Sequence, residues 1–257
     1  MDVAELLASY PRQRPPLPEA YQRIYRHEYQ INRDGTTLTT RVARALESWM
    51  HLQIARRPGA QSLLEIGAGT LNHTDFQQSP SYDVVEPAEW FISDGPRRSR
   101  VRTIFRDIRE VPATSQYERI ISIAVLEHVD SLPEIIARSG VLLAPDGIAQ
   151  HAIPTEGGAL WGLTWRLTTG VAYWLRNRLS YGALMRHEHI NSAPEIVAVF
   201  RWFFGRVALR RFPLPLFHVS FYTYIEADQP RLDRCRSYLE SLATRSAGQQ
   251  QAGPLQE

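Results

Sequence analysis

LLEIGAGTLNH, residues 63–73, is the stretch on which the reading of this chain turns. Leu63 to Ile66 form a short apolar run of the kind a buried strand shows. Gly67 and Gly69 follow at once. Glycine takes positive φ and lets the backbone approach a ligand with no Cβ in between. Open α/β sheets bind ligands outside the carboxyl ends of their strands, so a glycine turn at a strand tip predicts the floor of a site. Glu65 interrupts the apolar run, and a buried carboxylate needs a partner. A ligand ammonium would serve. A dinucleotide turn of the form G-x-G-x-x-G is not completed, because its third glycine position is Asn72.

The 257 residues suit one α/β domain with additions. A net charge of +2 gives no global argument for a nucleic-acid partner. All 29 basic residues are arginine, which reads as a genomic habit before a phosphate-binding strategy. The single cysteine, Cys235, excludes an internal disulfide and fits a reducing, cytoplasmic setting. No N-terminal signal-type apolar stretch and no bilayer-length apolar run is expected.

Working outward from the glycine turn, the proline-rich start PRQRPPLP predicts an extended lead-in. A helix is expected from Pro18 to Gln30, with Tyr21, Ile24, Tyr25 and Glu28 on one face. These tyrosines either pack on the domain or cover a ligand. After a turn at Asn32 to Thr37, Leu38 to Arg56 reads as a second helix, with Val42, Leu46, Trp49, Met50 and Leu52 inward and Gly59 ending it. Tyr82 to Glu86 is the second strand, so close to the first that the crossover holds two helical turns at most. Glu86, followed by Pro87, stands at the strand's carboxyl end, where a carboxylate accepts hydrogen bonds from ribose hydroxyls. A solvated loop glutamate is the plain alternative. Val101 to Phe105 is a third strand, with Asp107 and Ile108 just beyond it. Tyr117 to Val125, nearly continuous in β-branched residues, reads as a central parallel strand covered on both faces. Leu126-Glu127-His128-Val129 follows, then a capping box at Ser131–Glu134, the turn Leu143–Gly147 and a fifth strand at Ile148 to Ile153.

Five features in this order resemble the class I, Rossmann-like S-adenosylmethionine-dependent methyltransferases. They are the E-x-G-x-G turn, Glu86, Asp107-Ile108, the L-E-H-V string and the L-x-P-x-G turn. Leu71 stands where that family usually has a third glycine. The resemblance implies an α/β fold with a seven-stranded, mostly parallel sheet, S-adenosyl-L-methionine as cofactor, and an antiparallel final strand. It assigns Glu65 and the turn Gly67, Ala68, Gly69 and Thr70 to the methionine part, Glu86 and Pro87 to the ribose, and Asp107 and Ile108 to the adenine. Ala124, Val125 and Leu126 would line the cofactor. Helix capping is the rival role for Asp107.

Residues 155–190 depart from the generic pattern, with Trp161, Trp165, Tyr173 and Trp174 in a helical region edged by arginines. Such a segment suits a lid over a pocket, a membrane-surface helix across 158–180, or plain packing. Met185 to Asn191 carries His187, Glu188 and His189. Related methyltransferases have a similar E-H-x-N string near the substrate opening, so His187 or His189 could deprotonate an acceptor hydroxyl. Local structure and metal binding are the alternatives, but no third ligand is evident from spacing and no metal is expected. His128 is either a general base or a residue that orders its loop. A second capping box at Ser192–Glu195 opens a helix with Ile196, Val199, Phe200 and Phe203 inward. Strands at Val207 to Phe212 and Val219 to Ile225, a short helix at Arg231 to Thr244 and a disordered polar tail complete the chain.

The expected organisation is an N-terminal helical arm (1–60), a methyltransferase core (61–228) with a lid-like insertion (155–190), and a C-terminal helix and tail (229–257). The expected activity is methylation of a hydroxyl on a small molecule or glycan, the resemblance extending to enzymes of bacterial cell-surface polysaccharide synthesis. The competing functions are a nicotinamide-dependent oxidoreductase and a non-catalytic binding module.

Overall fold

A computed structural model describes residues 2–22, 24, 48–57, 59–92 and 94–251. Seven strands form one sheet: β1 (Ser62–Ile66), β2 (Ser81–Val85), β3 (Thr103–Phe105), β4 (Tyr117–Ile123), β5 (Leu143–Pro154), β6 (Phe204–Pro213) and β7 (Ser220–Pro230). Their order is β3-β2-β1-β4-β5-β7-β6. β1 pairs in parallel with both β2 and β4, whereas β7 runs antiparallel to its neighbours β5 and β6. The chain therefore winds away from β1 in both directions, and a crevice opens at the carboxyl ends of β1 and β4.

Alternation along the strands feeds two cores. Leu64 and Ile66 of β1 join Ile120 of β4 on one face. There they meet α1 (Val3–Ala8), α2 (Leu132–Leu142), α6 (Ala193–Phe203) and α7 (Leu232–Gln251) through Leu6, Ile136, Phe200 and Cys235. Leu63 and Ile121 point to the other face, where Met50 and Ile54 of the helical residues 48–55 pack with Tyr82 and Tyr224. The insertion after β5 is helical throughout most of its length: α3 (Ala159–Trp165), a π turn (Arg166–Gly170), α4 (Val171–Asn177) and α5 (Tyr181–Glu188).

Several local expectations need correction. Leu52, expected inward, is 53 % exposed, because the apolar stripe of its helix runs through Met50 and Ile54. The β1–β2 crossover, by contrast, stays within the expected two helical turns at most, with a single 3-10 turn, Asn72–Asp75. Ser131 makes no side-chain cap bond; Glu134 is drawn instead to Arg109, at 2.8 and 2.7 Å, and to Arg138 at 2.9 Å. The second box does close, with the Ser192 N–H and Oγ–H both donating to Glu195 Oε2, at 2.8 and 2.7 Å. The Leu143–Gly147 turn lies inside β5 as an outpouching between the Tyr117–Leu143 and Arg119–Ile148 pairs. The backbone of α7 stays helical to Gln251, beyond the expected stop at Thr244. The turn at 32–37 and the expected inward residues Val42 and Leu46 lie outside the described residues, as do Tyr25 and Glu28.

Candidate active site

A cleft of about 1470 Å³ opens over the carboxyl ends of β1 to β4. Single-ligand pockets run to roughly 1,000 Å³, so this one has room for two molecules side by side. Its floor is the β1 turn. Gly67 has φ +70° and Gly69 φ +52°. A Cβ on Gly67 would lie 2.5 Å from Val125 Cγ2, so the turn and the end of β4 touch only because Gly67 has no side chain. Leu71 also takes the left-handed conformation, at φ 60° and ψ 30°. Its side chain is buried in the second core, and packing holds a backbone geometry that costs a non-glycine residue about 1–2 kcal/mol.

Glu86, at the tip of β2, is buried and lines the cleft. Its Oε2 accepts from the Gly69 N–H at 2.6 Å and its Oε1 from the Ala88 N–H at 2.9 Å. Both oxygens keep a lone pair for hydroxyl donors. Pro87, Asp107, Ile108, Ala124 and Val125 line the same cleft. Asp107 also caps the 3-10 turn Ile108–Glu110 by accepting from the Arg109 N–H at 2.8 Å, so the capping role is real. The second carboxylate oxygen still has acceptor capacity.

Ala68, Thr70 and Leu126 are not among the cleft-lining residues. Ala68 and Leu126 are buried in the cores, and the Thr70 hydroxyl donates to Asn72 Oδ1 at 3.0 Å. Glu65 is also away from the cleft. It sits under the sheet, where its Oε2 accepts from the Tyr82 hydroxyl at 2.7 Å. Burial pushes its carboxyl up to about 8, against the Tyr82 hydrogen bond and with help from Glu86. It thus has a protein partner in the Tyr82 hydroxyl, in place of the ligand ammonium expected from the sequence. Strand alternation explains this, since Glu65 faces the same side as Leu63.

Of the three histidines, His128 and His189 line the cleft, and their rings meet edge to face at 4.8 Å. His187 is not part of the lining; its Nδ1–H donates to the Pro15 carbonyl at 2.7 Å. His128 Nδ1 is 2.9 Å from the Glu188 carbonyl, which can only accept, so Nδ1 carries the proton. His189 Nδ1 lies 2.9 Å from Glu156 Oε2. Burial raises the Glu156 carboxyl, but the hydrogen bonds and charge from His189, and the Trp161 Nε1–H at 2.5 Å, outweigh it and hold it below the usual range. Glu156 thus stays ionised and accepts from His189 Nδ1–H, which orients the ring in the cleft. Glu156 was not singled out in the sequence; the only signal was its place just after β5. Next to His128, the buried Glu127 is pushed up to about 7 by burial.

Asn191 was also missed as a fixing residue. Fully buried, it donates through Nδ2 to the carbonyls of Leu126 and Val129, both at 2.8 Å, and its Oδ1 accepts from the Tyr10 hydroxyl at 2.7 Å. It staples the loop after β4. The insertion supplies the far wall of the cleft through Tyr173, Tyr181, Leu184 and Met185. Among the described residues no group of three or more potential metal ligands gathers.

A sequence model of the family described as "Methyltransferase domain" matches residues 31–196. The chain belongs to the methyltransferase domain family. It is an S-adenosylmethionine-dependent methyltransferase, and the family match sets the nicotinamide alternative aside. No curated protein sequence matches the chain. Among solved structures, an O-methyltransferase family protein from Burkholderia thailandensis is 14 % identical with a TM-score of 0.52, over 88 % of this chain and 66 % of that one. A Thermotoga maritima SAM-dependent methyltransferase, described as a possible histamine N-methyltransferase, is 13 % identical with a TM-score of 0.53, over 81 % and 97 % of the two chains. At these identities the likeness is one of fold. The cleft fits the methyl donor: a strand-end carboxylate with acceptor capacity, a side-chain-free turn against Val125, and the Asp107–Ile108 pair on a common wall.

Proposed function

We propose that this methyltransferase acts on a hydroxyl of a small-molecule or glycan acceptor, with His189 as general base. The observation that carries this reading is the 2.9 Å pair of His189 and Glu156, with the histidine in the cleft lining. An amine with a free lone pair needs no base, whereas a hydroxyl gains from one; positioned proton transfer contributes about 10²–10⁴-fold.

S-adenosylmethionine supplies an already activated methyl group. The protein's own part is therefore alignment and exclusion of water. In this reading Glu86 holds the ribose, Asp107 and Ile108 the adenine, and the Gly67–Gly69 turn with Ala124 and Val125 the remainder. Glu65 acts from behind, keeping β1 and β2 together through Tyr82. His189 Nε2 takes the hydroxyl proton while Glu156 balances the charge that forms on the ring. Tyr173, Tyr181, Leu184 and Met185 serve as a lid whose apolar wall shields the acceptor. A glycan acceptor, as in cell-surface polysaccharide synthesis, rests on the family resemblance and on the spare volume beside the donor site. A cytoplasmic setting goes with this reading, and the buried free thiol of Cys235 is compatible with it.

Transfer of radiolabelled methyl to a panel of hydroxyl and amine acceptors, followed by product analysis, tests the proposal. Label recovered as a methyl ether supports it; label confined to amines, unaffected by loss of His189, overturns it.

A further inference from the structure

We infer that the outer face of the helical insertion docks on an anionic lipid surface. Leu163, Leu167, Val171, Trp174 and Leu175 are each between 44 and 64 % exposed. They recur at helical spacing along α3, the π turn and α4, so they form one stripe on one continuous helical segment. Tyr173, on the opposite side, is buried and faces the cleft. Leu214 and Leu216, in the β6–β7 loop, are also 53 and 67 % exposed. That loop abuts the start of α3, a Cβ on Gly157 falling 3.6 Å from Phe217 Cζ.

Charge selects the occupant. Residues 157–187 contain Arg166, Arg176, Arg178 and Arg186 and no aspartate or glutamate. The guanidinium of Arg166 lies 4.2 Å from the Trp165 ring centroid, and that of Arg178 lies 4.9 Å from the Trp174 ring centroid. An apolar stripe edged by arginine and tryptophan is the arrangement of a helix lying in a headgroup region, where cations meet anionic lipid and the indole sits at the boundary. No helix among the described residues is long and apolar enough to cross a membrane. The contact is therefore along the surface. The inference stands apart from the choice of acceptor and of base, since vesicle binding needs neither.

Flotation of the full-length protein with phosphatidylglycerol vesicles and with phosphatidylcholine vesicles tests it. Recovery with the anionic vesicles should exceed that with the neutral ones at least tenfold. It should fall at least tenfold in a Leu167→Ser/Trp174→Ala/Leu175→Ser variant, and substantially in Arg166→Glu/Arg178→Glu. Donor binding by calorimetry should be unchanged in both variants, which separates loss of the surface from loss of fold. Three results would overturn the inference: no flotation of the wild type, equal flotation of wild type and the apolar-stripe variant, or a concentration-dependent dimer in sedimentation that the Trp174 variant abolishes.

Discussion

The carboxylate of Glu86 and the backbone amide of Gly69 are joined by a hydrogen bond of 2.6 Å, which ties the tip of β2 to the turn after β1. One residue thus shapes the floor of the cleft and offers acceptors to whatever lies on it. Glu86→Ala removes both functions. Donor affinity should fall by about 1–3 kcal/mol, the cost of leaving hydrogen-bonding groups without partners. Calorimetric titration checks this, and unchanged affinity would sink the ribose assignment.

Gly67→Ala should destabilise the fold by about 2–4 kcal/mol, adding an overpacked contact with Val125 to the strain of positive φ. Combining it with Val125→Ala should recover the steric part and leave the backbone part. Denaturant unfolding of the three variants separates the two, and full recovery in the double variant would show that φ carries no cost here.

His189→Ala should lower kcat by about 10²–10⁴-fold on a hydroxyl acceptor with little change in donor affinity. Glu156→Gln should produce a smaller loss, because the imidazole keeps a hydrogen-bond partner but loses the compensating charge. His187→Ala should stay within a few-fold of the wild type. Comparable losses at His187 and His189 would contradict the division of roles drawn from the cleft lining.

Glu65 makes stability depend on pH in an unusual direction. Its folded-state pKa, at about 8, is above the ordinary 4.5, so the folded protein holds a proton that the unfolded chain releases. Stability is therefore lost as pH rises through that window, at up to about 1.4 kcal/mol per pH unit. Glu65→Gln keeps an acceptor for Tyr82 and cannot ionise. Its stability relative to the wild type should climb between pH 5 and 8, as read by chemical denaturation at each pH. A flat difference would mean that Glu65 is ionised in the folded state.

The strand positions and several residues that line the cleft were legible in the sequence because they rest on local signals: apolar runs, paired glycines, an acid at a strand tip. The partner of Glu65 was not legible, for the opposite reason. Tyr82 lies on the neighbouring strand, and no spacing along the chain reveals a cross-strand hydroxyl. Leu71 shows the same limit, since packing holds its backbone in a geometry that glycine favours. Glu156 became visible only once the fold brought it to His189, 33 residues away. The two capping boxes look alike on paper; Arg109 draws Glu134 away from the first.

Asn191 gives the first residues of the chain an unexpected importance. Tyr10 and Arg12 reach its side chain from the N-terminal segment, Arg12 also grips Glu195 at 2.6 Å, and the same side chain holds the carbonyls after β4. The N-terminal segment is thus a guy-rope for Asn191, about 180 positions downstream, and through it for the loop after β4. Trimming the protein to a minimal core would slacken that tether, so a shortened enzyme could keep its sheet and still lose its grip on the donor.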